Sequence, residues 1–253
     1  MSLKSSVLFA MCFVSIIFGQ KGRKLKLNQL METFKEYAIE KPEYFFCKNA
    51  KLVYVVNSKV ACSSLKVALA RTDGLDVGFS SYHEVHSHPA MLDHVVYRAD
   101  EVDFDGYFFS YVRDPYSRLL SAWLNKFNGA DINDDNFEFK NYLGGFLKRT
   151  DSFPVFVMKI FMIPDELSDR HFVSQTYWLF QKNTRPLDYI GRLESIKFSY
   201  ADLMARFELP SLERFNTSPS YQKHNYYDYL TYALVKKRYG CDFDGFGYEK
   251  LDS

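Results

Sequence analysis

Three apolar runs along the chain are each followed by polar residues and then by a segment with helical spacing. The runs cover residues 52–56, 107–112 and 187–193. Their β-branched and aromatic side chains are typical of buried strands, and strands that alternate with helices indicate an α/β fold. We therefore expect a single domain in which helices flank a mainly parallel central sheet.

The turn after the first run has the chemistry of an anion site. A serine at position 63 or 64 is suited to cap the helix that follows, so that backbone N–H groups and the positive end of the helix dipole face a ligand. Lys59 adds a positive charge to this turn. Many proteins contain such a turn without binding anything there, so this stretch alone leaves a ligand site and a purely structural turn both open.

A second turn repeats the arrangement with an arginine. Arg113 follows the second strand, and Asp114 with Pro115 is a strong signal for the start of a helix. The predicted helix buries one apolar face and carries Ser121 on another. In a parallel sheet both turns lie beyond the carboxyl ends of the strands, so we expect Lys59 and Arg113 at one rim.

Further helices are predicted over residues 27–39, 137–147, 153–162 and 226–239, with another that ends near Phe207. Residues 75–105, between the first helix of the domain and the second strand, are polar, and we expect them to be irregular. They contain four of the six histidines. Long irregular segments within compact domains are often functional. This segment is therefore a candidate source of catalytic groups.

Net charge restricts the classes of ligand. The 253 residues carry a formal charge of +1, which argues against the broad basic surface that nucleic-acid binding needs. A hydrophobic fraction of 47% is enough for a sizeable core. An anionic ligand must therefore be held by a local site, and no nucleic-acid partner is expected.

The N-terminus resembles a targeting segment. An apolar run over residues 7–18 is shorter than the roughly 20 residues of a membrane-spanning helix and suits a signal peptide. A short signal anchor and a cytosolic hydrophobic helix are the alternatives. We expect a signal peptide or short anchor over 1–20, a stem with an N-terminal helix over 21–45, and the main domain over 46–253.

Cysteine and histidine spacing gives no sign of a metal. The chain has four cysteines but no CxxC pair and no His/Cys cluster at zinc spacing. Cys12 lies in the apolar run, which leaves Cys47, Cys62 and Cys241. If a disulfide forms, we expect Cys47 to pair with Cys241, because Cys62 lies in the anion turn, although sequence cannot establish this pairing.

Five segments carry a resemblance to a known family. They cover residues 57–66, 111–127, 171–175, 189–194 and 243–248, in the order in which the family has them. The first is similar to the 5′-phosphosulfate motif, and the second to the 3′-phosphate motif, of the Golgi carbohydrate sulfotransferases. Within that family, the chain resembles the group of chondroitin 4-O-sulfotransferases in particular.

This resemblance implies a P-loop-like sulfotransferase fold and transfer of a sulfuryl group from 3′-phosphoadenosine 5′-phosphosulfate to a sugar hydroxyl. It implies a glycan acceptor on a proteoglycan or glycoprotein and a location in the Golgi lumen or outside the cell, with a possible N-terminal membrane anchor. No metal is implied, so protein cations must stabilise the charge that moves during transfer.

The resemblance also assigns residues. Lys59 matches the residue that neutralises the leaving phosphate, while Arg113 and Ser121, eight residues apart or about two helical turns, match the 3′-phosphate ligands. Arg118 is assigned to the donor site, and an exposed arginine or a partner of acidic residues is its alternative. The donor-binding set is completed by residues of the first turn: Ser58, Lys59, Val60, Ala61, Cys62, Ser63, Ser64 and Leu65.

Three other matched residues are interpreted as structural or solvated. We interpret Lys66 as a solvated helix residue, and we interpret Arg192 and Glu194 as a structural ion pair. Transfer to a hydroxyl also needs a general base. The candidates are His88 and His86, which loosely resemble the H-x-H segment of the uronyl 2-O-sulfotransferases, with Glu84 after them.

Departures from the family pattern leave an alternative function. Asn57 and Ser58 replace a proline before Lys59, and Ser64 with Leu65 replaces an Asn-Trp pair. A weakly active or inactive luminal protein that binds a nucleotide or glycan with the same fold is therefore the second hypothesis. A P-loop kinase or NTPase is excluded, because the chain has no G-x-x-x-x-G-K-[ST].

Overall fold

A computed structural model describes residues 41–75, 78–79, 82–128, 137–213 and 223–250. The predicted leader over 1–20 and the predicted helix over 27–39 lie outside the described residues. Within the described part of the chain, no helix is both long enough and apolar enough to cross a membrane.

A five-stranded sheet forms the centre of the fold, in the order β3-β1-β2-β4-β5. The neighbours β2, β4 and β5 are parallel, whereas β1 is antiparallel to both β2 and β3. The predicted α/β domain is confirmed, with a sheet that is mostly but not purely parallel. The strands are β1 (Tyr44–Cys47), β2 (Leu52–Val55), β3 (Val95–Val96), β4 (Tyr107–Val112) and β5 (Tyr189–Arg192).

Helices lie on both faces of this sheet. In chain order they are α1 (Cys62–Thr72), α2 (Tyr82–Ser87), α3 (Pro89–Leu92), α4 (Pro115–Lys126), α5 (Phe153–Met162), α6 (Gln175–Tyr177), α7 (Ile196–Phe207), α8 (Tyr229–Arg238) and α9 (Gly240–Phe246). A π-helical turn, Trp178–Lys182, continues α6.

Two segments differ from the sequence expectation. The predicted helix over 137–147 is wrong, because this stretch forms consecutive turns in which Leu143, Gly144 and Gly145 all have positive φ. The segment over 75–105, expected to be irregular, contains α2, α3 and β3. The predicted domain start at residue 46 falls inside β1.

Strand β2 is an uninterrupted apolar run because it is covered on both faces. Leu52 and Tyr54 belong to a core cluster with α1 and α7, while Val53 and Val55 belong to a second cluster on the opposite face. All four side chains are fully buried. Successive strand residues point to opposite faces, so a strand covered on both sides is apolar at every position.

The cysteines are not paired as expected. Cys47 is buried on β1, and its thiol donates to Asp73 Oδ1 at 3.2 Å, while Cys241 is exposed on α9. Both are free thiols, so the expected disulfide is wrong. Burial of the Cys47 side chain, with Asp73 beside it, raises the pKa of the thiol to about 12.

Candidate active site

The turn between β2 and α1 is shaped by backbone conformation. Lys59 and Ala61 have φ values of 70° and 52°, which are left-handed. Ala61 is the N-cap of α1 and has no side-chain cap, so the prediction that Ser63 or Ser64 caps this helix is wrong. Both serines instead lie in the first turn of α1, where backbone N–H groups precede the first intrahelical bonds and can face an anion.

The turn between β4 and α4 is built by a side-chain cap, as predicted. Asp114 is the N-cap, and its Oδ2 accepts a hydrogen bond from Ser117 N at 3.1 Å. Arg113 stands just before this cap, and its Nη1 donates to the carbonyl oxygen of Lys59 at 3.2 Å. The two cationic turns are therefore in direct contact.

Gln175 fixes the backbone at this contact. Its Oε1 accepts from Arg113 N at 2.9 Å and from Asn57 Nδ2 at 3.1 Å, while its Nε2 donates to Arg113 O at 2.8 Å. The backbone N–H of Gln175 donates in turn to Asp242 Oδ2 on α9, at 2.8 Å. One fully buried amide thus joins both turns to the C-terminal helix.

The turns open on a cavity of about 1070 Å³. The predicted site residues that line it are Ser58, Lys59, Ala61, Cys62, Ser63, Ser64, His86, Arg113 and Ser121. Val60 and Leu65 are fully buried, so only their backbone can contribute. The structure therefore brings most of the predicted donor site to one place.

Two of the predicted bases lie outside this lining. His88 is the N-cap of α3, where its Nδ1 accepts from Ala90 N at 3.3 Å and its ring packs against Phe79. Glu84 is exposed on α2. Neither side chain is among the residues that surround the cavity.

Arg118 lies beneath the first turn and is only 2% exposed. Its guanidinium donates to three backbone carbonyls, those of Ser58, Arg170 and Val173, at 2.6–3.0 Å. This arginine supports the turn from the protein side, and it is absent from the cavity lining.

Lys59 is the cation that the first turn presents. Its ammonium donates to Asn125 Oδ1 on α4. Burial, together with the positive charge of nearby Lys126, lowers the pKa of Lys59 to about 8. Most molecules therefore carry a protonated Lys59 at pH 7, held where it can interact with an anion in the cavity.

A buried ion-pair group forms part of the cavity lining, and sequence reasoning missed it. Lys66 is 3% exposed and donates to Glu43 Oε1, while Arg170 Nη2 donates to Glu43 Oε2 at 2.9 Å. The interpretation of Lys66 as a solvated residue is therefore wrong. Antiparallel β1, which the apolar pattern does not predict, brings Glu43 next to α1.

Glu43 should make the stability of the fold sensitive to acid. Burial raises the pKa of this carboxyl, but Arg170 and Lys66 outweigh burial and lower the pKa to about 2. The unfolded chain has the ordinary value of 4.5, so this stabilisation, about 3 kcal/mol, is present above pH 4.5 and is lost as pH falls toward 2.

We expect Glu43→Gln to lower the free energy of unfolding at pH 7 by about 3 kcal/mol, because two buried cations lose their counter-charge. Urea denaturation at pH 7 and pH 3 measures this, with the exposed Glu249→Gln as the matched control. The difference between Glu43→Gln and wild type should shrink at pH 3. An equal difference at both values would contradict the assigned ionisation.

His86 contacts helix α1 through both ring nitrogens. Its Nε2 lies 3.0 Å from Ser63 Oγ and its Nδ1 lies 3.3 Å from Lys66 Nζ. Because the Lys66 ammonium can only donate, Nδ1 accepts, and the proton on Nε2 is donated to Ser63. His86 is an exposed residue, but desolvation of the ring beside α1 and the charge of Lys66 lower its pKa, so the ring is neutral at pH 7.

A second histidine lines the cavity, and sequence reasoning placed it only within a family segment. His171 Nδ1 lies 2.7 Å from Asp169 Oδ1, and their side chains are 15% and 8% exposed. Glu138 is close by, so the three residues offer ligand atoms within 4.8 Å of one another. Glu138 pairs with Lys126, and Asp169 accepts from the His171 ring, so each of the three groups already has a protein partner.

Arg192 and Glu194 are structural, as interpreted, but they contact other groups instead of each other. Glu194 accepts from Asp114 N at 2.8 Å and from the Tyr248 hydroxyl at 2.9 Å. Arg192 donates to Phe246 O and lies over the Tyr248 ring. Both residues therefore help to connect β5 with the C-terminal segment.

The fold and the cavity define an α/β protein whose site suits a ligand with anionic groups at two ends. A family model described as the sulfotransferase family matches residues 42–249. The chain therefore belongs to the sulfotransferase family, and its activity class is sulfotransfer. Comparison with curated proteins and with solved structures gave no match.

Proposed function

We propose that this sulfotransferase is a carbohydrate O-sulfotransferase that uses 3′-phosphoadenosine 5′-phosphosulfate. The observation that supports this most is the junction of the two cationic turns over one cavity, where Arg113 Nη1 donates to Lys59 O at 3.2 Å. A nucleotide with one phosphate on its 3′ side and another on its 5′ side needs two such sites a short distance apart.

The residues present fit that donor. The first-turn N–H groups of α1 and the side chain of Lys59 offer hydrogen bonds and positive charge to the 5′-phosphosulfate. Arg113 and Ser121 line the same cavity and suit the 3′-phosphate. Burial lowers the pKa of Arg113, yet a guanidinium stays protonated in proteins, so its charge is available.

The cavity also has room for an acceptor. Its volume of about 1070 Å³ is slightly above the roughly 300–1,000 Å³ typical of sites for one small ligand. A sugar of a proteoglycan or glycoprotein glycan can then enter beside the donor. A neutral sugar acceptor agrees with the near-neutral net charge of the chain, and a Golgi or extracellular location agrees with the predicted leader.

The transfer breaks the bond between sulfur and the bridging oxygen of the 5′-phosphate, and it forms a bond between sulfur and the sugar oxygen. Lys59, which lines the cavity, neutralises the charge that grows on the leaving phosphate. The sugar hydroxyl loses its proton to a base as the new bond forms.

The test is transfer of radiolabelled sulfate from the donor to a panel of desulfated glycosaminoglycans and glycoprotein glycans. We expect labelling of at least one acceptor. Calorimetry with adenosine 3′,5′-bisphosphate runs in parallel. Binding without any transfer would favour the inactive nucleotide-binding protein, and absence of binding by folded protein would contradict the proposed donor site.

A further inference from the structure

We propose that His171, held by Asp169, is the base that takes the proton of the acceptor hydroxyl. This inference rests on the proposed function and replaces the three bases expected from the sequence. It starts from the position of the ring, which lines the same cavity as Lys59, Ser63 and Arg113.

The orientation of the His171 ring is fixed by one carboxylate oxygen. Asp169 Oδ1 accepts from both the backbone N–H of His171, at 2.8 Å, and the ring Nδ1, at 2.7 Å. Burial raises the pKa of Asp169, but His171 and Arg170 together lower it further, so this carboxyl is ionised at neutral pH. An ionised carboxylate can only accept, so Nδ1 carries the proton and the lone pair is on Nε2.

The charges around the ring favour a neutral imidazole before transfer. Burial lowers the pKa of His171, Asp169 raises it, and Lys59 and Lys126 lower it again, with a net decrease. Glu138 also faces the ring, with Oε1 4.0 Å from Nδ1, but it pairs with Lys126. Once the ring accepts a proton, Asp169 stabilises the imidazolium that forms.

His86 does not offer the same lone pair. Both of its nitrogens are engaged, Nδ1 by Lys66 and Nε2 by Ser63. For His171, the structure shows no hydrogen-bond partner of Nε2 among the residues that it describes. A sugar hydroxyl can therefore reach a basic nitrogen at His171 without breaking an existing bond.

In the transfer step, the hydroxyl proton moves to His171 Nε2 while the oxygen lone pair forms the new bond to sulfur. The electron pair of the broken sulfur–oxygen bond stays on the 5′-phosphate oxygen next to Lys59. Product release leaves the imidazolium, which returns its proton to water.

The first test does not need an acceptor. Long-range proton–nitrogen NMR of protein labelled with ¹⁵N-histidine reports which ring nitrogen carries the proton. We expect His171 at pH 7.5 to have a protonated Nδ1 and an unprotonated Nε2, with His171→Asn identifying its signals. A proton on Nε2 would overturn the proposal even if sulfuryl transfer is observed, which separates this failure from failure of the proposed function.

The second test uses the acceptor found by radiolabelling. His171→Asn keeps an amide donor near Asp169 and should lower kcat about 100- to 10,000-fold, with the Kd for adenosine 3′,5′-bisphosphate unchanged within threefold. The exposed His224→Asn, the matched control, should keep wild-type kcat. Retention of kcat by a folded His171→Asn, shown by its donor binding, would overturn the assignment.

Asp169→Asn separates positioning from a merely structural role. Asp169 raises the pKa of His171, so its removal should shift the acidic limb of the kcat/KM profile to lower pH while kcat falls. Donor binding is measured alongside to show that the variant folds. A fall in kcat with no movement of the acidic limb would contradict the proposed role of Asp169.

Discussion

Replacing Lys59 with alanine is expected to lower kcat for sulfuryl transfer about 100- to 1,000-fold, the range seen when one group that stabilises charge in a transition state is removed. The ammonium contacts Asn125 and lines the cavity between the two turns, so no other side chain of the first turn supplies this charge. Initial rates at saturating donor measure the effect.

The same lysine should impose a pH limit. In the free enzyme the pKa of Lys59 is lowered to about 8, so its charge is present below that pH, and kcat/KM for the donor should fall as pH rises through it. Lys59→Arg, which stays protonated, should remove this fall. Lys250→Ala is the control, because Lys250 pairs with Asp244 outside the cavity lining. Unchanged kcat in Lys59→Ala would exclude the assigned role.

Arg113→Ala is expected to remove the preference for a 3′-phosphate. A hydrogen bond to a charged group contributes about 1.5–3 kcal/mol, so binding of adenosine 3′,5′-bisphosphate should weaken roughly 10- to 100-fold. Adenosine 5′-monophosphate should bind Arg113→Ala about as it binds the wild type. Calorimetry with the two nucleotides measures the difference directly.

Two further variants complete this test. Ser121→Ala should give a smaller loss in the same direction, because a neutral hydroxyl contributes about 0.5–1.5 kcal/mol. Arg206→Ala is the matched control, since Arg206 stacks on Tyr107 and Phe207 and does not line the cavity. An equal loss for both nucleotides would instead show that Arg113 acts by supporting the Lys59 turn.

The sequence predicted those elements whose cause is local. The turn at Arg113 was predictable because the aromatic run of β4, the Asp114 cap and Pro115 all act within a few residues. The position of both turns at one rim of the sheet was predictable, because the carboxyl ends of parallel strands lie at the same edge. Both cationic turns could therefore be placed together before any contact was known.

Other features depend on conformation or on distant contacts. Ala61 has a left-handed conformation and begins α1 without a side-chain cap, and the residue type at this position does not predict that conformation. Burial of Lys66 requires its partner Glu43, which lies 23 residues earlier in the chain. Glu43 directly precedes β1, a strand of only four residues. The pairing of His171 with Asp169 is local, but its place in the cavity depends on the fold of several elements.

The Gln175 side chain makes three hydrogen bonds to Arg113 and Asn57, so the two turns of the proposed donor site are not independent of each other. Its amide sets the distance between the backbone of Arg113 and the side chain of Asn57, and its own backbone is bonded to Asp242 on α9. The separation of the two turns therefore depends on α9, a helix that contributes no residue to the cavity lining. Moving either turn alone into another protein would carry over its charge but lose the spacing between the two turns that the proposed donor requires.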